Sequence, residues 1–144
     1  MLPYIQYCNI IWAKTYSTNL EKILKLQKRM IRIIANVRYR DHTKPLFIKL
    51  KLLTVYDINK YQTGSFIFKC ITCPYTLPPI FQTYFVYNDE IHNYNTRIAS
   101  KLHVTQVRTT TRKMTLRQSG TLFWNSLDDA IIQSKNIKIF PKKA

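Results

Sequence analysis

The sequence predicts a mainly α-helical fold, a small helical bundle with a short β-hairpin or strand pair in its C-terminal half. Three observations lead there. Leu20, Ile23, Leu24, Gln27, Met30, Ile31 and Ile34 recur at three- and four-residue steps and share one helical face. Thr54 followed by Asp57 opens a second long segment carrying Val55, Ile58, Tyr61, Phe66, Ile67 and Cys70. From Leu102 to Arg108 the period drops to two, as in a strand, and two glycines in 144 residues are too few for a β-barrel or a glycine-loop nucleotide fold.

Taken in order, residues 4–14 read as a short helix with Tyr4, Tyr7, Cys8, Ile11 and Trp12 on its buried side. A helix over 18–36 follows, about 28 Å long, started by a capping box of Thr18 and Glu21. A polar connector over 37–42 leads to a weaker helix at 44–53, with Pro45 in its first turn. The next long helix, capped at Thr54, is weakened by Gly64 and Ser65 and ended by Cys73-Pro74 and Leu77-Pro78-Pro79. Residues 75–95 read as loop with one helical turn near Phe81. The strand at 102–108 is expected to pair with 113–116 across Thr109-Thr110-Thr111. A final helix opens at Gly120 and is anchored by Leu122, Phe123 and Trp124. The change of character at Pro74 divides the chain into a helical segment, 1–73, and a loop-rich extension, 74–144.

Charge points to the partner. Lys and Arg number 23 against seven Asp and Glu, a net charge of +16, while 46% hydrophobic and 13% aromatic content supplies a core that a disordered basic tail would lack. The excess is spread along the chain, with 13 basic and 3 acidic groups in 1–73 and 10 and 4 in 74–144. Such a surface repels itself unless a polyanion neutralises it. Nucleic acid therefore ranks ahead of a merely solvated surface and of membrane headgroups. The site residues this selects are Lys22, Lys25, Lys28, Arg29 and Arg32, opposite the apolar stripe, continued by Arg38 and Arg40. Tyr39 between them is either a stacking platform for an unpaired base or an aromatic buried beneath the connector. A second basic group comprises Arg97, Arg108, Arg112 and Lys113, near the expected hairpin.

Other chemistries find little support. Cys8, Cys70 and Cys73 form no even framework, which suits a reducing setting, cytoplasmic or nuclear. No apolar run reaches the roughly 18 residues of a spanning helix, and the N-terminal residues lack a basic leader, so neither membrane nor signal peptide is expected. Cys70 and Cys73 have the spacing of half a zinc site without a second half, and read better as small residues at a helix end. Asp128-Asp129 follows Trp124-Asn125-Ser126 and precedes a helical run, which suits a helix N-terminus rather than a metal-binding polymerase turn. Ser119-Gly120 lacks the strand–turn–helix setting of a nucleophile elbow. No catalytic residue, metal or cofactor is assigned, and a metal-dependent nuclease would need clustered carboxylates.

Several stretches together fit a family. LPYIQYCNIIWAKTY at 2–16, LQKRMIRIIANVRYRDHTKPLF at 26–47, LKLLTVYDINKYQ at 50–62, HNYNTR at 92–97 and LFWNSL at 122–127 occur in this order. The chain thereby resembles the thumb and post-thumb region of jockey-like non-LTR (LINE-type) retrotransposon reverse transcriptases, whose last box reads LWNSLP. Asp128 stands where that box has Pro. The resemblance runs from Leu2 to about Phe140. It implies that the fingers and palm, with their metal-binding aspartates, belong ahead of Met1 and are missing here. A fragment of this kind would be no enzyme by itself. It would hold RNA or DNA by its backbone, as a template–primer duplex or element RNA, and would pair with the missing polymerase domain. A remnant with no activity, its Tyr4, Ile11 and Trp12 left exposed, is the alternative. In HNYNTR, Asn93 and Asn95 suit a turn and Arg97 a phosphate.

Overall fold

The structure is a computed structural model and describes residues 2–92, 94 and 96–132. The fold is mainly helical, and its packing forms two units, Met1–Lys60 and Tyr61–Ala144. The division falls inside a helix rather than at Pro74. That helix contributes Val55 and Ile58 to the first core and Ile67 and Phe68 to the second, so a change in composition is not where the cores part.

In the first unit, α1 (Leu2–Gln6) and α2 (Asn9–Trp12) replace the single expected helix. The break is Cys8, which takes a left-handed conformation at φ 48°. Of the expected buried side only Trp12 packs against the first core, half-buried. Tyr4 is 85% exposed, and Tyr7, Cys8 and Ile11 are also exposed, while Ile5, Asn9 and Ala13 are buried at four-residue steps. Asn9 goes inside because its groups are satisfied. Its Nδ2 donates to the Ile5 carbonyl (3.1 Å), and its Oδ1 accepts from Asn59 Nδ2 (3.0 Å).

The basic helix, α3 (Ser17–Ile34), is observed, but the Thr18–Glu21 capping box is not. The N-cap is Tyr16, in extended conformation and without a side-chain cap, so Thr18 already lies within the first turn. At the far end Asn36 adopts φ 50°, with Val37 N–H donating to the Arg32 carbonyl and Asn36 N–H to that of Ile33. This is a Schellman ending, at which Asn is tolerated. Leu20, Gln27 and Ile31 are buried and Ile23 and Leu24 half-buried, whereas Met30 and Ile34 of the expected stripe are exposed.

Next comes α4 (Lys44–Lys49), with Pro45 in its first turn. It is shorter than expected because Lys51 takes φ 51°, closing a second Schellman ending through Leu52 N–H to the Phe47 carbonyl (2.9 Å). α5 (Val55–Thr72) begins with the expected reciprocal cap. Thr54 N–H donates to Asp57 Oδ2 and Asp57 N–H donates to Thr54 Oγ1, both at 3.3 Å. It runs unbroken through Gly64 and Ser65 and stops ahead of Pro74. Gln27 ties α3 to the start of α5, its Nε2 donating to the Leu53 carbonyl (2.8 Å) and its Oε1 accepting from Val55 N–H (3.1 Å).

In the second unit, 3₁₀ turns at Pro74–Thr76 and Pro79–Phe81 precede α6 (Asn88–Ile91), α7 (Thr110–Met114), α8 (Leu116–Asn125) and α9 (Asp129–Ile132). The core gathers Ile67, Phe68, Leu102, Trp124 and Ile131.

The expected β-hairpin does not form. Among the described residues there is no strand, and residues 102 and 87 share one isolated antiparallel bridge. Two causes are visible. Thr109 Oγ1 accepts from Arg112 N–H (3.4 Å) as the N-cap of α7, which commits 113–114 to helix, and residue 116 opens α8. Leu102 alone is drawn fully into the core, so nothing enforces an alternating face beyond it.

The last expected helix starts four residues early, which places Gly120 mid-helix. A Cβ there would lie 3.2 Å from Ile67 Cδ1, so the missing side chain permits close approach of α8 to α5 within this unit. Trp124 is a core anchor, Phe123 is half-buried, and Leu122, another expected anchor, is 52% exposed. Asp128 accepts from the backbone N–H groups of Ile131 and Ile132 through its carbonyl, at the N-terminus of α9.

Candidate nucleic-acid interface

The amphipathic spacing of α3 sets the geometry of its cations. At about 100° per residue, burying Leu20, Gln27 and Ile31 turns Lys28, Arg32, Lys25, Arg29 and Lys22 onto one arc of about 120°, in which Glu21 at the N-terminal end is the one acidic side chain. Lys22, Lys25 and Arg29 are exposed, and Lys28 and Arg32 are half-buried at the margin nearest the core. Lys22 to Arg32 spans about 15 Å of helix rise. Duplex nucleic acid carries one charge per about 1.7 Å of axis, so several phosphates fall within reach.

The connector after α3 extends this surface. Arg32 Nε donates to the Asp41 carbonyl (3.0 Å), and its guanidinium lies 5.7 Å from the centroid of the Tyr39 ring. Asp41 Oδ2 accepts from Arg38 N–H (3.0 Å), so that carboxylate closes the turn. Arg38 and Arg40 are exposed, and Tyr39 is 77% exposed. Of the two readings of Tyr39, burial beneath the connector is excluded. Arg32 thus positions the loop as well as adding charge.

The second basic group is only partly assembled. Arg108 and Lys113 line one cleft of about 610 Å³ with Val104, Gln106 and Leu122, braced by Thr105 Oγ1 donating to Gln118 Oε1 (3.3 Å). Arg112 is exposed on α7, and Arg97 sits in the turn at 97–100, outside that cleft. Asn93 and Asn95 lie outside the described residues. Sequence reasoning missed Arg117, whose guanidinium covers the Tyr84 ring at 5.8 Å. It also missed His42, Lys44 and Lys51, which gather around one cleft beside Lys28. The run of basic residues on both sides of Pro45 was the available signal.

Among the described residues no group of three His, Cys, Asp or Glu side chains is placed to hold a metal, and no helix is long and apolar enough to cross a membrane. Cys70 is buried and Cys8 and Cys73 are exposed. Comparison with protein-family models, with curated proteins and with solved structures finds no match.

Proposed function

We propose that this chain binds nucleic acid by its sugar–phosphate backbone, through α3 and the loop carrying Arg38 and Arg40, as the thumb-like part of a non-LTR reverse transcriptase. The observation that carries this reading is the arc on α3, where five cations share one side of a helix whose other side is core. Backbone contacts need positive charge at phosphate spacing and no base-reading geometry, which is what a helical row of Lys and Arg supplies. The role is binding, of template–primer duplex or element RNA, with polymerisation belonging to a palm domain elsewhere in such a protein.

A second reading concerns the same helix. Leu26, Met30 and Ile33 are exposed at four- and three-residue steps between the core face and the cationic face. An apolar strip of this kind favours a protein neighbour, and the polymerase domain of the parent protein is the partner that fits the first reading.

The test is a salt series. With five or six phosphates neutralised, log K for a duplex falls against log salt with a slope of about −5. Lys22→Glu, Lys25→Glu and Arg29→Glu together alter only exposed positions, so binding should disappear while circular dichroism stays unchanged. A slope near zero, or a triple variant that binds as well as the parent, would overturn the reading.

A further inference from the structure

We propose that the cleft between α3 and α4 seats one unpaired nucleotide of the strand that α3 grips, an inference resting on the backbone-binding reading above. The cleft has a volume of about 730 Å³, within the range of small-molecule sites. Half-buried Leu24 and exposed Ile48 and Leu53 give it an apolar floor over buried Phe47. Lys28, His42, Lys44 and Lys51 surround them.

That combination selects the occupant. A nucleotide presents a flat apolar face and a phosphate, which match an apolar floor and a cationic margin. An acidic peptide would use the cations and leave Ile48 and Leu53 unengaged. The local carboxylate offsets only part of the charge: Asp57, held by the Oγ1 hydroxyl (2.6 Å) and the N–H (3.3 Å) of Thr54, is one acidic group against Lys28, Lys44 and Lys51.

Continuity with the first site is built in. Lys28 belongs both to the cationic arc of α3 and to the margin of the cleft, so a strand lying on that arc is delivered to its mouth. Lys51 holds its place from a left-handed backbone conformation, where Gly or Asn would be less strained.

The test uses the full chain with two DNA probes followed by fluorescence anisotropy. One is a blunt duplex, and the other is the same duplex with a short 5′ overhang carrying 2-aminopurine at its first unpaired position. The overhang should bind about tenfold tighter, the increment expected of one base seated on apolar side chains, with a rise in 2-aminopurine emission as that base leaves the duplex end. Ile48 is 73% exposed and lines the cleft, so Ile48→Glu blocks the seat without entering the core. That variant should lose the tenfold advantage and the rise in emission while keeping blunt-duplex affinity within about threefold. Equal affinity of the parent for both probes overturns the seat and leaves backbone binding standing. An advantage that survives Ile48→Glu, or one abolished by polyglutamate as readily as by a mononucleotide, also overturns the seat. Failure to bind either probe overturns both proposals.

Discussion

The side-chain amide of Asn125 makes both hydrogen bonds that a neighbouring strand would make to Leu102. Leu102 N–H donates to Asn125 Oδ1 (3.0 Å), and Asn125 Nδ2 donates to the Leu102 carbonyl (2.9 Å). Leu102 is buried at 1% exposure, so water cannot substitute for either bond. Gln27 does the same in the first unit, serving the Leu53 carbonyl and Val55 N–H. In each unit a helix thus completes the hydrogen bonding of an irregular segment with one amide. Asn125→Asp keeps an acceptor for Leu102 N–H but sets a carboxylate oxygen against the Leu102 carbonyl. We expect a loss of about 2–3 kcal/mol at neutral pH, measured by urea unfolding. Part of it should return at acid pH, where the protonated carboxyl donates again. A loss of the same size at pH 3 and pH 7 would mean that the donor is not what matters.

Thr63 carries an uncompensated cost. Its Oγ1 is buried and has no hydrogen-bond partner, in a residue only 1% exposed. Thr63→Val replaces the hydroxyl with a methyl of similar shape at nearly equal helix propensity. Stability should rise by about 1 kcal/mol, seen as a higher urea midpoint at constant slope. A fall in the midpoint would show that the hydroxyl has a partner.

Burial pushes the Cys70 thiol up to about 11 from its ordinary 9.0, against a smaller opposing effect of a backbone hydrogen bond. The folded protein therefore retains this proton after the unfolded chain has lost it. Its contribution to stability is complete below pH 9.0 and falls between 9.0 and about 11, by at most about 1.4 kcal/mol per pH unit. At pH 8, iodoacetamide should modify exposed Cys8 and Cys73 and spare Cys70 until denaturant is added, as read by peptide mass spectrometry. Equal modification of all three in the native protein would contradict this burial.

The features readable from sequence are those governed by local chemistry. Thr54 and Asp57 cap α5 because a hydroxyl and a carboxylate three residues apart can reach each other's backbone. The cations of α3 share a face because a helix with that spacing has no alternative. Features set by tertiary packing were hidden. Side-chain size points to Tyr4, Tyr7 and Ile11 as core, yet a left-handed Cys8 turns the buried side toward Ile5, Asn9 and Ala13. The alternation at 102–108 resembles a strand, but pairing needs a second strand, and the Thr109 cap removes it. The candidate cleft was equally hidden, since it joins Lys28 to Lys44 and Lys51 across the connector.

Lys51 sets stability against the proposed nucleotide seat. Its φ of 51° crowds a Cβ that glycine lacks, at a cost of roughly 1–2 kcal/mol, while glycine loses about 0.5–1 kcal/mol more backbone entropy on folding. Lys51→Gly should therefore stabilise the protein by about 0.5–1 kcal/mol and remove one cation from the cleft. The expected pattern is a higher urea midpoint together with a weaker preference for the overhanging probe and an almost unchanged affinity for the blunt duplex. A higher midpoint with the preference intact would show that Lys51 is strained to no purpose at this site. A lower midpoint would show that its stem packs on the cleft walls strongly enough to outweigh the strain.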